Sequence, residues 1–264
     1  MKRLSNGTIA AIVIAAVIII DQAIKIWVKT HFFYGEEFAI TDWFRIHFIE
    51  NNGMAFGMEF GSKFLLTWFR IIAVILFIYY LIKIRKRTDL QKGYVICIAM
   101  ITAGAAGNVL DCIFYGLIFD DPPFPLIAQL FPPDGGYSTL FNGRVVDMFY
   151  FPLCEWDWPS WVPMLAGKHF VFFQPIFNFA DASLSVSVIV LILFFSKNLA
   201  TLDKKEKTAD ADADGTTHDE ATPDGKATNE TTSSEITPDD NNKTDVKIIS
   251  IINIDFHVVF VVSL

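Results

Sequence analysis

The sequence predicts an integral membrane protein: an all-α bundle of four transmembrane helices, a small β-rich extracytoplasmic region and a disordered C-terminal tail. Three observations predict it. The 264-residue chain is 53% hydrophobic and carries 26 Phe, which is more apolar than an ordinary soluble domain. Four apolar runs, Ile9–Val28, Phe64–Ile84, Tyr94–Phe119 and Pro175–Phe195, approach the roughly 20 residues that cross a bilayer. The net charge of −8 belongs to one segment, since residues 201–245 hold five Lys against thirteen Asp or Glu. The remainder is neutral and offers no basic surface for nucleic acid.

The first run follows Lys2 and Arg3, as a secretory signal would. It is longer than a typical signal h-region and no A-x-A site follows, so it reads as a retained span. The short-loop cations orient the bundle. Lys2 and Arg3 precede span one. Lys83, Arg85, Lys86, Arg87 and Lys92 lie between spans two and three, and Lys197, Lys204, Lys205 and Lys207 follow span four. All three groups belong on the cytoplasmic side, with both termini. Residues 1–200 are then one membrane domain and 201–264 a cytoplasmic tail.

Residues 30–62 and 120–174 become the outer loops. "GEEFAITDWFRIHFIE" alternates apolar and polar residues and fits either a small sheet on the membrane surface or a plain interfacial loop. The second loop is broken by prolines and carries Trp156, Trp158 and Trp161, which suit the headgroup level. Residues 203–245 are polar and poor in aromatics, so disorder is expected. The apolar stretch 246–264 carries Asn253, Asp255 and His257 and has no assigned role. Cys97, Cys112 and Cys154 form no disulfide or metal pattern and read as apolar fillers.

Ionisable groups inside spans are functional candidates. Asp21 and Lys25 in "DQAIK" sit at i, i+4 and either neutralise each other or face a substrate. Asn108 and Asp111 share one face of span three, beside the small residues Gly104, Ala105, Ala106 and Gly107, which admit a second helix. Their polar groups serve either that contact or chemistry. Asp147 follows an extended "GRVV" and Asp181 opens span four, so both reach the outer edge of the bundle. As a close pair they would share a proton, one acting as general base on water and the other as general acid. Ion coordination and plain structural polarity remain alternatives. No G-x-S-x-G, H-E-x-x-H or P-loop is present, and Cys154 with His169 makes a poor nucleophile signal.

Five motifs in order resemble the lipoprotein signal peptidase (signal peptidase II) family. "DQAIK" resembles D-Q-x-x-K, "NNGMAFG" resembles N-x-G-x-A-F-G, "GNVLDC" resembles G-N-x-x-D-R, "GRVVDMF" resembles G-x-V-V-D-F, and "FNFADASL" resembles F-N-x-A-D-x-x-I. The resemblance spans residues 21–184 and excludes the tail. It implies a bacterial inner-membrane aspartic endopeptidase that cleaves a prolipoprotein just before a diacylglyceryl-modified cysteine. It implies Asp147 and Asp181 as the catalytic pair near the outer face. Asp21, Lys25, Asn51, Gly53, Asn108, Asp111, Arg144 and Asn178 become substrate-binding or supporting residues. No metal or cofactor is implied; membrane lipids and globomycin-type inhibitors are the further partners.

Two departures stand out. Cys112 occupies the place of the family's Arg, so that cationic contact must come from elsewhere or is absent. An insertion over 117–142 also creates a second G-x-x-x-D in "YGLIFD", offering Asp120. Asp147 is preferred, because "GRVVDMF" keeps both valines and an aromatic while "IFDDPP" runs into prolines. Two rival classes are a small polytopic transporter using these residues to coordinate ions, which should show internal repeats, and a noncatalytic assembly factor.

Overall fold

The computed structural model describes residues 4–52, 63–162, 164 and 166–195. The proposed tail, the stretch 246–264 and the "NNGMAFG" motif from Gly53 onward lie outside the described residues.

Three helices are long and apolar enough to cross a membrane: α1 (Asn6–His31), α2 (Lys63–Ile84) and α3 (Lys92–Ile118). α1 begins at Ser5, whose hydroxyl accepts from the Thr8 amide at 3.1 Å, an N-cap that ends the run cleanly. The first run is helical well beyond Ile9–Val28 because Lys29, Thr30 and His31 continue it toward the outer loop. α3 is central, with 72% of its apolar stretch buried against 22% for α1 and 39% for α2. The outward faces of α1 and α2 carry Ile19, Trp27, Ile72, Ile75 and Ile82, an apolar surface suited to lipid.

The fourth run departs from the expectation. Among the described residues Phe179–Phe195 is helical, here named α4, and that described part is shorter than the other three helices. Ile176 and Phe177, expected within the span, form a short strand instead. Four transmembrane helices are therefore replaced, among the described residues, by three long ones and a shorter apolar fourth. The Phe195 ring of α4 lies at the start of α3, against Gly93 and 6.3 Å from Tyr94. Asn6 at the start of α1 donates to the Arg87 carbonyl at 2.5 Å. The start of α1, the α2–α3 connection and Phe195 therefore share one end of the bundle.

The other end carries the strands. β1 (Glu37–Thr41) and β2 (Phe44–Asn51) form the antiparallel hairpin that alternation allowed. β3 (Val145–Tyr150) pairs with β2, and β6 (Ile176–Phe177) pairs with β3, giving the order β1-β2-β3-β6. β4 (Cys154–Asp157) and β5 (His169–Phe172) form a separate hairpin. Cys97 and Cys112 are buried as expected of fillers, but Cys154 is exposed because that hairpin leaves the core. Two apolar clusters result. One joins Tyr94, Ile98, Phe77 and Leu191 between the helices, and the other joins Val28, Phe119, Phe48 and Met148 beneath the sheet.

The insertion caps α3. A helix leaves its last carbonyls without intrahelical donors. Here the amides of Phe131, Ser138 and Tyr137 donate to the carbonyls of Ile118, Gly116 and the C-cap Phe119 at 2.7, 2.8 and 2.9 Å. The inserted segment folds back over the helix end and delivers the chain to β3.

Candidate active site

A buried lysine organises the centre. Lys25 Nζ lies 3.0 Å from Asp21 Oδ2, 2.7 Å from Asp111 Oδ2 and 2.8 Å from Asn108 Oδ1. The first two are ion pairs and the third is a hydrogen bond that the ammonium donates. Asp21 and Lys25 therefore do neutralise each other along α1, and Asp111 joins them from α3. Gln22 Nε2 braces the group, donating to Asp111 Oδ1 at 2.8 Å and Asp21 Oδ2 at 3.1 Å, while Tyr115 donates to Gln22 Oε1 at 3.1 Å. Such close approach depends on small residues. A Cβ at Gly107 would sit 2.7 Å from Asp21 Oδ2, and one at Gly104 would sit 2.5 Å from the Ala180 carbonyl oxygen. The small-residue stretch of α3 admits α4, as its composition predicts.

Asn178 and Asp181 start α4 as a reciprocal cap. The Asp181 amide donates to Asn178 Oδ1 at 2.9 Å, and the Asn178 amide donates to Asp181 Oδ2 at 3.4 Å. This is a capping box with Asn at the N-cap and Asp at N3. Asp21 Oδ1 accepts from the Ala180 amide at 2.9 Å, so α1 satisfies another open donor of the same turn. Asp181 is held at a helix N-terminus, where negative charge is favoured. Its Oδ1 also accepts from Asn108 Nδ2 at 2.7 Å.

Asp147 arrives from the sheet. In β3 it alternates with Val146 and Met148, which face the apolar cluster, so its carboxylate turns to the opposite side. Pairing of Phe149 with Phe177 and of Tyr150 with Ile176 brings the start of α4 beside it. Asn178 Nδ2 then donates to Asp147 Oδ1 at 2.7 Å and to Asn108 Oδ1 at 3.1 Å. One amide side chain thus contacts Asp147 while capping the turn that carries Asp181. Burial first, and then the Asp181 charge, holds the Asp147 carboxyl well above the ordinary carboxylate range.

The remaining expected residues sit apart. Arg144 does not turn to Asp147; it reaches Glu50 at 2.9 Å and Asp121 at 2.9 Å and stacks 4.8 Å from the Tyr137 ring. It precedes β3 and turns to the side where the inserted segment supplies Asp121 and Tyr137. Asn51 lies opposite Val145 in the β2–β3 ladder, one pair beyond Glu50 and Val146. Gly53 is outside the described residues. Asp120 accepts from the Gln129 amide at 2.6 Å within the insertion and is separate from this centre. His169 pairs with Asp157 at 2.8 Å across the β4–β5 hairpin.

Sequence reasoning passed over two groups. Gln22 was visible in "DQAIK" but its bracing of two carboxylates was not inferred. Arg70 was hidden inside the second apolar run; the signal available was a guanidinium within a span, which needs a partner.

The chain matches the family model described as Signal peptidase (SPase) II over residues 13–197. It is 46% identical over 219 residues to a lipoprotein signal peptidase of Porphyromonas gingivalis, covering 83% of this chain and 95% of that one. It is 35% identical over 182 residues to a lipoprotein signal peptidase of Amoebophilus asiaticus, covering 67% and 72%. A solved chain described as a bacterial membrane enzyme superposes with TM-score 0.47 at 22% identity, covering 81% of this chain and 94% of that one.

Proposed function

The chain belongs to the signal peptidase II family, bacterial membrane proteases that remove the signal peptide from prolipoproteins, and on that premise we propose that it works as an aspartic endopeptidase with Asp147 and Asp181 as its catalytic pair. The observation that carries the reading is Asn178, which donates to Asp147 Oδ1 while its own carbonyl oxygen Oδ1 receives the Asp181 amide. Two carboxylates coupled this closely in a buried site hold one proton between them. The transporter reading has no support among the relatives.

Asp147 is the protonated member. Among the described residues it has one side-chain donor, whereas Asp181 receives Asn108 and the Asn178 amide at a helix N-terminus. Asp181 removes a proton from water, whose oxygen bonds to the scissile carbonyl carbon. Asp147 gives its proton to the amide nitrogen as the C–N bond breaks, releasing the signal peptide's carboxyl end and the amine of the lipid-bearing cysteine. Lys25 and Asp21 do not touch the reacting atoms. They fix Asn108 and the first turn of α4, and so the angle of the pair.

The substrate is a prolipoprotein whose diacylglyceryl chains stay in lipid, so the bond reaches the pair at the outer rim. The cation-rich end, with Arg85, Lys86 and Arg87, is the cytoplasmic one. Globomycin-type inhibitors occupy the pair. Residues 201–264 are a separate tail that cleavage does not need.

Purified protein in detergent, given a synthetic diacylglyceryl-modified propeptide, tests the reading. Cleavage should vanish in Asp147→Asn and in Asp181→Asn, each folded like the parent. Undiminished cleavage by either variant removes that residue from the pair.

A further inference from the structure

The bundle end away from the candidate active site holds a cleft that peptide cleavage leaves without a task. It lies between the start of α1 and the turn that joins α2 to α3. Its volume is about 890 Å³, within the roughly 300–1,000 Å³ of small-molecule sites. Two contacts fix its walls. Asn6 donates to the Arg87 carbonyl at 2.5 Å. A Cβ at Gly7 would sit 3.2 Å from Arg85 Cβ, so α1 and the end of α2 meet closely there.

The lining has two characters. Arg85, Lys86 and Lys92 are exposed along it and have no ion-pair partner among the described residues. Arg87 also lines it, but its guanidinium donates to Asp89 at 2.5 and 3.1 Å. On the α1 wall the hydroxyls of Ser5 and Thr8 bond each other at 2.8 Å. Leu4, Ala11 and Leu90 add an apolar side. Next to Ala11, Ile12 is 55% exposed and shares a face of α1 with Ile19, so that side runs into the lipid-suited surface of the bundle.

Orientation in a membrane requires cations on one side and no cleft among them. A free anion would use the cations and leave the apolar side idle. A ligand with an anionic head and an apolar tail matches both. We propose that this cleft binds the headgroup of an anionic phospholipid from the leaflet at this end of the bundle. Arg85, Lys86 and Lys92 meet its phosphate, Ser5 and Thr8 offer hydroxyls, and the acyl chains leave past Ala11 and Ile12 along α1. The lipid then ties the α2–α3 turn to α1, the least buried of the three long helices. The inference does not use the catalytic pair, and binding is read without cleavage.

The test offers the full chain, in detergent, equal amounts of dioleoylphosphatidylglycerol and dioleoylphosphatidylcholine, with adducts counted by native mass spectrometry. The parent should hold phosphatidylglycerol at least about fivefold over phosphatidylcholine. Arg85→Gln, Lys86→Gln and Lys92→Gln together should cut that preference to about twofold or less. Arg85→Lys, Lys86→Arg and Lys92→Arg together should keep it, and so should Lys168→Gln at the opposite end. No preference in the parent, or an undiminished one in the triple glutamine variant, would overturn the proposal. Displacement of the lipid by equimolar inorganic phosphate would make this a site for a free anion. Displacement by an equimolar peptide of sequence 203–245 would give it to the chain's own acidic segment. Either displacement overturns the proposal as well.

Discussion

Two lysines one turn apart on α1 feed two ion clusters of opposite character. Lys25 serves the inner one, where its buried ammonium pairs with Asp21 and Asp111, while Asn108 and Asn178 link it to the buried carboxylates of Asp147 and Asp181. Lys29 serves the outer one, where it pairs with Glu50, Glu50 with Arg144, and Arg144 with Asp121. The outer cluster balances two cations with two carboxylates and is lined by the rings of Phe48, Phe119 and Tyr137 around Lys29. Balance is what a structural tie needs. A buried excess of carboxylate cannot all be ionised, and a site that must keep a proton has one to give. The inner cluster carries more carboxylate than cation, as the proposed proton transfer requires, and the outer one fastens the insertion and the sheet to α1.

The difference is broken most severely at Lys25. Lys25→Met would strand two buried carboxylates and should cost about 3–5 kcal/mol of stability, with loss of cleavage. Chemical unfolding in detergent measures it, and a Lys25→Met protein as stable as the parent would mean the inner cluster is not held by that charge. Arg144→Gln, at an arginine 30% exposed on its side chain, should cost about 1 kcal/mol or less and leave the rate within a few-fold of the parent. A hundredfold loss of rate there would erase the distinction between the clusters.

Asp147 adds a pH signature. Its carboxyl titrates well above the range of an exposed aspartate because of burial and the Asp181 charge. The unfolded chain loses that proton near pH 3.9, roughly, whereas the folded protein keeps it. Stability from this group is therefore complete below the unfolded value and falls as pH rises through the folded one. The cleavage rate should fall over the upper part of the same window as the acid loses its proton. Asp147→Asn should remove this part of the stability decline, and an unchanged slope would argue that the group is ionised from the start.

Much of the inner cluster was legible in the sequence, because carboxylates, amides and a lysine inside apolar runs have few bland explanations. Asp21 with Lys25, and Asn108 with Asp111, were correctly placed on shared faces by helical spacing alone. Their cross-helix partners were not legible, since i, i+4 logic stops at the helix surface. The later start of the fourth helix was missed because Pro175, Ile176 and Phe177 are as apolar in a strand as in a span. Only the pairing of Ile176 and Phe177 with β3 separates the two. The capping box of Asn178 and Asp181 was readable in "NFAD" and would have marked the helix start. The partners of Arg144, Glu50 and Asp121, were not legible, because its motif names only neighbours in sequence.

The most direct test of the account compares Asp147 with the aspartate in the insertion that shares its sequence pattern. Asp120 bonds one amide of its own loop and lies outside both clusters. Cleavage of the lipid-modified propeptide, with globomycin affinity alongside, is measured for Asp147→Asn and Asp120→Asn under one condition. The account predicts that Asp147→Asn loses at least about 10²-fold in rate and weakens the inhibitor, while Asp120→Asn keeps both and stays within about 0.5 kcal/mol in stability. An inactive Asp120→Asn beside an active Asp147→Asn would contradict it.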